Sequence, residues 1–211
     1  GDPACAKEPD LALQTNLDAS INLLEISKNY KVKKFIFASS CSNYGRSDNS
    51  DVYVDENSKL KPLSLYSKSK VDFENYMFND RIHENISLTC LRNSTIYGLS
   101  PRMRFDLTVN EFTKELIMGR TLKIYGEQFW RPYCHVSDLA QLIVSLIKSK
   151  STLYNNIFNV GSTEENYSKK MIVDLITKNI PNSNIEYISK EEDPRDYKVS
   201  FKKIKNQLGF S

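Results

Sequence analysis

Residues 35–70 set a hydroxyl cluster, a phenol and an ammonium in an order that can serve one reacting oxygen. An apolar run, Phe35-Ile36-Phe37-Ala38, ends in the polar cluster Ser39-Ser40-Cys41-Ser42, and Tyr66-Ser67-Lys68-Ser69-Lys70 follows. A helix that starts at Tyr66 puts Tyr66 and Lys70 one turn apart on the same face. The spacing alone is weak: with 12 tyrosines in a lysine-rich chain, Tyr-x-x-x-Lys arises by chance, and Tyr30…Lys34 is a second copy. That copy straddles the expected end of a helix and start of a strand, so its side chains need not meet. The order of apolar strand, serine-rich end and Tyr-x-x-x-Lys carries the argument.

Positioning these groups requires a helix on each side of a strand. Residues 11–29 hold Leu11, Leu13, Leu17, Ile21, Leu24 and Ile26 at helical spacing. Residues 33–38 read as a short buried strand in a parallel sheet. Residues 39–65, with Pro62, read mainly as loop, 66–78 as a helix and 86–91 as the next strand. This alternation predicts an α/β sheet. Further on, 98–104 is an irregular loop, 105–118 a helix, 122–125 a strand and 126–132 a loop holding Trp130. Residues 136–149 predict a helix, 156–160 a strand, 171–180 a helix, 185–188 a strand and 201–208 a last short helix.

Composition narrows the classes. At 211 residues the chain can bury a core in one or two domains, and 40% hydrophobic with 26% charged residues is ordinary for a globular protein. A net charge of +3 gives no argument for nucleic acid. No apolar run approaches the roughly 18 residues of a membrane span. The opening GDPACAKEPD is neither a signal nor a transit peptide. Cys5, Cys41, Cys90 and Cys134 lie far apart and only His83 and His135 accompany them, so no zinc site is expected. Four free thiols fit a reducing cytoplasm.

The segment Ser39-Ser40-Cys41-Ser42-Asn43-Tyr44-Gly45 with Tyr66 and Lys70 resembles the Ser-Tyr-Lys site of the extended short-chain dehydrogenase/reductase family. The likeness is to its nucleotide-sugar epimerases and dehydratases, of the UDP-glucose 4-epimerase type, and runs through nearly the whole chain. It implies that Ser40 is the catalytic hydroxyl, with Ser39 beside it among the cofactor contacts or satisfying local backbone. Asn16, in Asn-x-x-Ala-Ser, matches the family's Asn-x-x-Gly-Thr next to the dinucleotide. Thr95, in Arg92-Asn93-Ser94-Thr95-Ile96-Tyr97-Gly98, stands where asparagine is usual and keeps one donor for the substrate. Arg131, in Arg131-Pro132-Tyr133-Cys134-His135-Val136, and Arg195, in Asp193-Pro194-Arg195-Asp196, match the two diphosphate-binding arginines, whose planar fork suits phosphate. Arg102 and Arg104 read as surface residues that could also face phosphate, and His135 as a structural histidine.

The resemblance implies a partial Rossmann-like, doubly wound parallel sheet with a smaller C-terminal substrate domain. Residues 1–98 and 133–160 would form the first, and 99–132 with 161–211 the second. None of the 7 glycines forms the glycine-rich turn that a dinucleotide fold uses against pyrophosphate. The family's opening βα units are therefore expected to be missing, and with them the residue that separates NAD from NADP. The implied activity is NAD-dependent epimerisation of a nucleoside-diphosphate sugar through a keto sugar. Tyr66, its pKa lowered by Lys70 and the nicotinamide charge, would be the base, with Tyr66 and Lys70 also touching NAD. Dehydratases with an acid pair carry Asp and Glu where this chain has Cys41 and Ser42, which disfavours that chemistry and leaves a keto-sugar reductase as the nearer alternative. A non-catalytic dinucleotide- or RNA-binding relative is the alternative of another class, and the isolated chain could be inactive. A cytoplasmic homodimer is the expected setting.

Overall fold

In a computed structural model, the chain is described over residues 1–47, 52–79, 86–149, 155–193 and 195–210; His83 and Pro194 lie outside them. It opens on α1 (Asp2–Lys7), α2 (Pro9–Leu13), a π-helical turn (Gln14–Asp18) and α3 (Ala19–Asn29). Then come β1 (Lys34–Ser40), a 3-10 turn (Cys41–Tyr44), β2 (Tyr53–Val54), α4 (Leu65–Phe78), β3 (Ser87–Asn93) and β4 (Thr95–Tyr97). The second half holds α5 (Thr108–Ile117), β5 (Leu122–Tyr125), β6 (Trp130–His135), α6 (Val136–Lys148) and β7 (Asn156–Val160). It closes with β8 (Asn166–Ser168), α7 (Lys169–Thr177), β9 (Ile185–Ile188), β10 (Lys198–Val199) and α8 (Lys202–Leu208).

The parallel sheet β1-β3-β7 is the frame of the molecule, with Ser40 opposite Asn93 and Asn93 opposite Val160 at its carboxyl edge. The middle strand, β3, is buried from Ser87 to Arg92. A strand covered on both faces has to be, because neither set of side chains meets water. Leu88 and Cys90 pack with Leu24 of α3 and Phe73 and Met77 of α4. Leu91 packs on the other face with Leu142 and Leu146 of α6, Phe158 and Val160 of β7, and Ile204 of α8. Helices thus cover both faces, which makes the sheet doubly wound. A third apolar cluster joins α5, β5, β6 and α7 through Phe112, Leu122, Tyr133 and Val173.

Several sequence expectations change at element ends. Residues 126–132 are not all loop, since β6 begins at Trp130. Pro132 is tolerated because β4 pairs with β6 only from Tyr133 onward, so no strand on that side needs an N–H at position 132. The helix expected over 105–118 begins at Thr108. Before it, the Asn110 side chain reaches back to the Gly98 N–H (3.1 Å) and the Arg104 carbonyl (3.1 Å) and holds the preceding loop against the first turn. Helix α7 starts early, at Lys169, because the Ser168 hydroxyl accepts the Met171 N–H. The π turn interrupts the helix expected over 11–29, and α1 is an addition.

Candidate active site

Two local features aim the Tyr66/Lys70 pair. Ser64 and Ser67 form a reciprocal capping box that starts α4 at Leu65, so Tyr66 sits in its first turn. Further along the same face, α4 is anchored by Phe73, which is fully buried and edge-on to Phe37 of β1 at 4.5 Å between ring centroids. The face carrying Tyr66 and Lys70 then looks over the carboxyl ends of β1 and β3, where a cleft of about 470 Å³ opens. In an α/β sheet this edge is where ligands bind.

Ser40, Tyr66 and Lys70 all line that cleft, as do Thr95, Arg131 and Arg195. The Ser40 hydroxyl accepts the Ser42 N–H (3.1 Å) and shares a hydrogen bond with the Ser42 hydroxyl (2.9 Å). The Lys70 ammonium donates to the Ala38 carbonyl (2.9 Å) and lies 5.8 Å from the Tyr66 ring centroid. An ammonium has three donors. Burial pushes the Tyr66 phenol up, and the Asp2 carboxylate adds to this; Ser40 and Arg104 pull the other way. Burial pushes Lys70 itself down, partly offset by Cys90, Cys5 and Glu74.

The two arginines come from separate segments to one cleft, and Asp193, which sequence reasoning passed over, organises both. Its carboxylate accepts two hydrogen bonds from Arg131 Nη2 (3.0 Å each) and one from the Arg195 backbone N–H (2.9 Å). Burial alone would push Asp193 up, but Arg131, the Arg195 N–H and Lys169 together hold it below the usual carboxylate range. The Arg195 guanidinium donates to Asp2 (2.9 Å) from an exposed position. Arg104 lines the cleft and grips Asp106, whose carboxyl it holds to about 2, whereas Arg102 is exposed.

Ser39 also lines the cleft, with its hydroxyl donating to Glu74 (2.5 Å) beneath it. Other candidates face elsewhere: the amide of Asn16, on the π turn, donates to Cys5 Sγ (3.5 Å) on α1. His135 caps α6: its Nδ1 meets the Ser137 hydroxyl at 2.6 Å and accepts the Ser137 N–H. A Cβ at Gly98 would fall 2.4 Å from the His135 ring, and φ is +112° there, which explains the glycine. Cys41 is buried, its thiol donating to the Arg92 carbonyl (3.0 Å), and burial pushes its pKa far up. The second Tyr-x-x-x-Lys copy separates as expected: Tyr30 is 79% exposed, while Lys34 caps α6 through the carbonyls of Leu146, Ile147 and Ser149. Among the described residues no cluster of His, Cys, Asp and Glu could hold a metal.

A doubly wound sheet whose carboxyl edge carries Ser, Tyr and Lys defines a class, and the comparisons agree. The chain belongs to the NAD dependent epimerase/dehydratase family, whose model matches residues 1–161. It is 31% identical to an uncharacterised UDP-glucose epimerase, YtcB, of Bacillus subtilis, over 71% of this chain and 46% of that protein. It is 27% identical to a UDP-glucuronate 4-epimerase of Thermodesulfobacterium geofontis, over 83% of this chain and 52% of the relative. The chain thus spans about half the length of the curated relatives it matches. Among solved structures, the UDP-glucuronic acid 4-epimerase of Bacillus cereus, in complex with UDP-glucuronic acid and NAD, superposes with a TM-score of 0.80 at 25% identity. That match covers 93% of this chain and 62% of the other. The UDP-glucose 4-epimerase of Thermotoga maritima, at TM-score 0.84 and 24% identity over 100% of this chain and 68% of its own, shares the fold.

Proposed function

We propose that this chain carries the acid–base and diphosphate-binding part of an NAD-dependent 4-epimerase acting on a uridine-diphosphate sugar. The observation that carries the reading is the meeting of Ser40, Tyr66 and Lys70 with Arg131 and Arg195 on one cleft. The printed activities of the relatives, UDP-glucose and UDP-glucuronate epimerisation, supply the substrate class. The residues present fit NAD: Lys70 has donors left after its bond to Ala38. At the same cleft, the buried Asn93 Oδ1 has no hydrogen-bond partner among the described residues. Lys70 and Tyr66 would hold the cofactor. When bound, NAD supplies hydride transfer and a positive charge near Tyr66.

Tyr66 takes the proton from the reacting sugar hydroxyl, Ser40 holds that oxygen and relays the proton, and Lys70 supports the ionised phenol. Arg131 and Arg195 hold the diphosphate, so the sugar ring can turn over and take its hydrogen back on the other face while the molecule stays bound. NADP remains open. We read residues 1–98 with 133–160 as the dinucleotide lobe and 99–132 with 161–211 as the substrate lobe. Within that division, α8 packs back on β7. A cytoplasmic homodimer completes the reading: all four cysteines are free and buried, and Leu23 and Ile26 are exposed on α3. Among the described residues no helix is long and apolar enough to cross a membrane.

An acid-pair dehydration is disfavoured because Cys41 points to backbone, while Glu56 accepts the Asn159 N–H and does not line the cleft. The deciding experiment incubates the complete protein with NAD and a panel of UDP-hexoses. Inversion at C4 supports the proposal. Accumulation of a 4-keto-6-deoxy sugar, or turnover only as NADPH-dependent reduction, overturns it.

A further inference from the structure

Beneath the cleft, on the side of α4 that faces the sheet, Glu74 is 3% exposed and makes a buried ion pair with Arg92, 4% exposed, at 2.7 Å. Glu74 stands one helical turn after Lys70. Its carboxylate takes hydrogen bonds from three places: Ser39 at the end of β1 (2.5 Å), Asn43 in the 3-10 turn (2.9 Å) and Arg92 on β3 (2.7 and 3.1 Å). Ser39 and Asn43 bracket Ser40. Lys70 holds the same strand end through the Ala38 carbonyl at 2.9 Å.

The helix that carries Tyr66 and Lys70 is therefore tied twice to the turn that carries Ser40. The two ties leave the helix about 6 Å apart along its axis. One tie would let the strand end pivot about it; two fix its rotation as well as its distance. Ser40 and Tyr66 share no element, so their relative placement depends on what joins α4 to the end of β1, and these two ties add to the Phe73–Phe37 packing there. An isolated buried ion pair contributes little net stability compared with apolar groups of the same shape. A pair that also gathers Ser39 and Asn43 has a geometric use instead.

We infer that Glu74 is a positioning residue: with Arg92 as its counter-charge, it locks the Ser40 turn against α4 so that Ser40 and Tyr66 address one oxygen. This rests on the epimerase reading only for its kinetic consequence. The orientation of the turn is a property of the chain itself.

The test uses the complete protein and two variants. Glu74→Gln keeps the shape but leaves Arg92 buried without its partner, and it can fail to fold. Glu74→Met combined with Arg92→Leu replaces the pair with apolar groups, which buried ion pairs generally tolerate. Three measurements are made on each folded variant: UDP affinity, amide hydrogen exchange of residues 38–45, and steady-state epimerisation. Expected are unchanged UDP binding, faster exchange confined to 38–45, and kcat lower by roughly 10- to 100-fold with KM little changed. A folded double variant with wild-type exchange in that segment overturns the proposal. So does wild-type kcat. If the wild-type protein epimerises no UDP-sugar, the functional reading fails, and the exchange measurement alone then decides the role of Glu74.

Discussion

Tyr66 enters the site with its acidity moved in the wrong direction for a base. Burial and the nearby Asp2 carboxylate both disfavour the phenolate, and Ser40 and the charge of Arg104 oppose them only in part. A base with a raised pKa is ionised only at the alkaline end, so kcat/KM should rise with pH. Asp2→Asn removes a negative charge beside the phenol and frees Arg195 from its partner. Losing that negative charge favours the phenolate, so the rising limb should move to lower pH. A limb that stays put or moves to higher pH sinks this account. Tyr66→Phe should lower kcat by about 10²- to 10⁴-fold, the usual range for losing a proton-transfer group, while UDP affinity measured by calorimetry stays close to wild type. At this scale the sequence was readable where side-chain order carried the chemistry, as in Ser40, Tyr66 and Lys70. It was silent on the pairing of Asp2 with Arg195, which meet at 2.9 Å across 193 positions that no spacing rule connects. Glu74 also escaped notice, since a glutamate in a helical stretch reads as a solvated charge until the strand beneath it is seen to supply Arg92.

The elements that build the site differ in how plainly the chain announces them. Strands β1, β3, β5, β7 and β9 were legible because each is a run of apolar or alternating residues between loop signals. Strands β2, β4, β8 and β10 have two or three residues each, too few to show a period, and exist because a neighbour pairs with them. Strand β6 was hidden by Pro132, although β4 pairs with it only from Tyr133 onward, which makes the missing N–H harmless on that side. That strand matters because it delivers Arg131, buried and held by Asp193, while the segment before β10 delivers Arg195, exposed and held by Asp2. Their environments predict different losses. Arg131→Ala leaves the buried Asp193 short of its main partner, so it should lower both UDP affinity and melting temperature. Arg195→Ala should lower UDP affinity, with a stability change within about 0.5 kcal/mol, as for other surface substitutions. Calorimetric titration with UDP and thermal melts of both variants check this. Equal melting losses, or unchanged UDP affinity in both, would remove the distinction.

Taken whole, the molecule encloses its thiols and several phenols in the layers on either side of the parallel sheet, and this sets how it should respond to alkali. Burial pushes Cys41, Cys90, Tyr44 and Tyr197 well above their ordinary values, and raises Cys134 to about 12. In the unfolded chain the thiols lose their protons from about pH 9 and the phenols from about pH 10, while in the folded chain they keep them. Above about pH 9 the folded state therefore binds more protons than the unfolded one, so the free energy of unfolding falls as pH rises. Each group contributes a slope that approaches about 1.4 kcal/mol per pH unit until the folded state also titrates. Three buried thiols and two buried phenols acting together should make the loss steep. Against a total stability on the order of 5–15 kcal/mol, it is large enough to unfold the chain within a narrow alkaline window. Urea midpoints measured under reducing conditions should be nearly level between about pH 7 and about pH 8, then fall sharply toward about pH 10. Cys134→Ala should soften that fall by removing one titrating group. A midpoint that holds level through this range would mean that these side chains reach solvent in the folded protein, contrary to the packing around the β1-β3-β7 sheet.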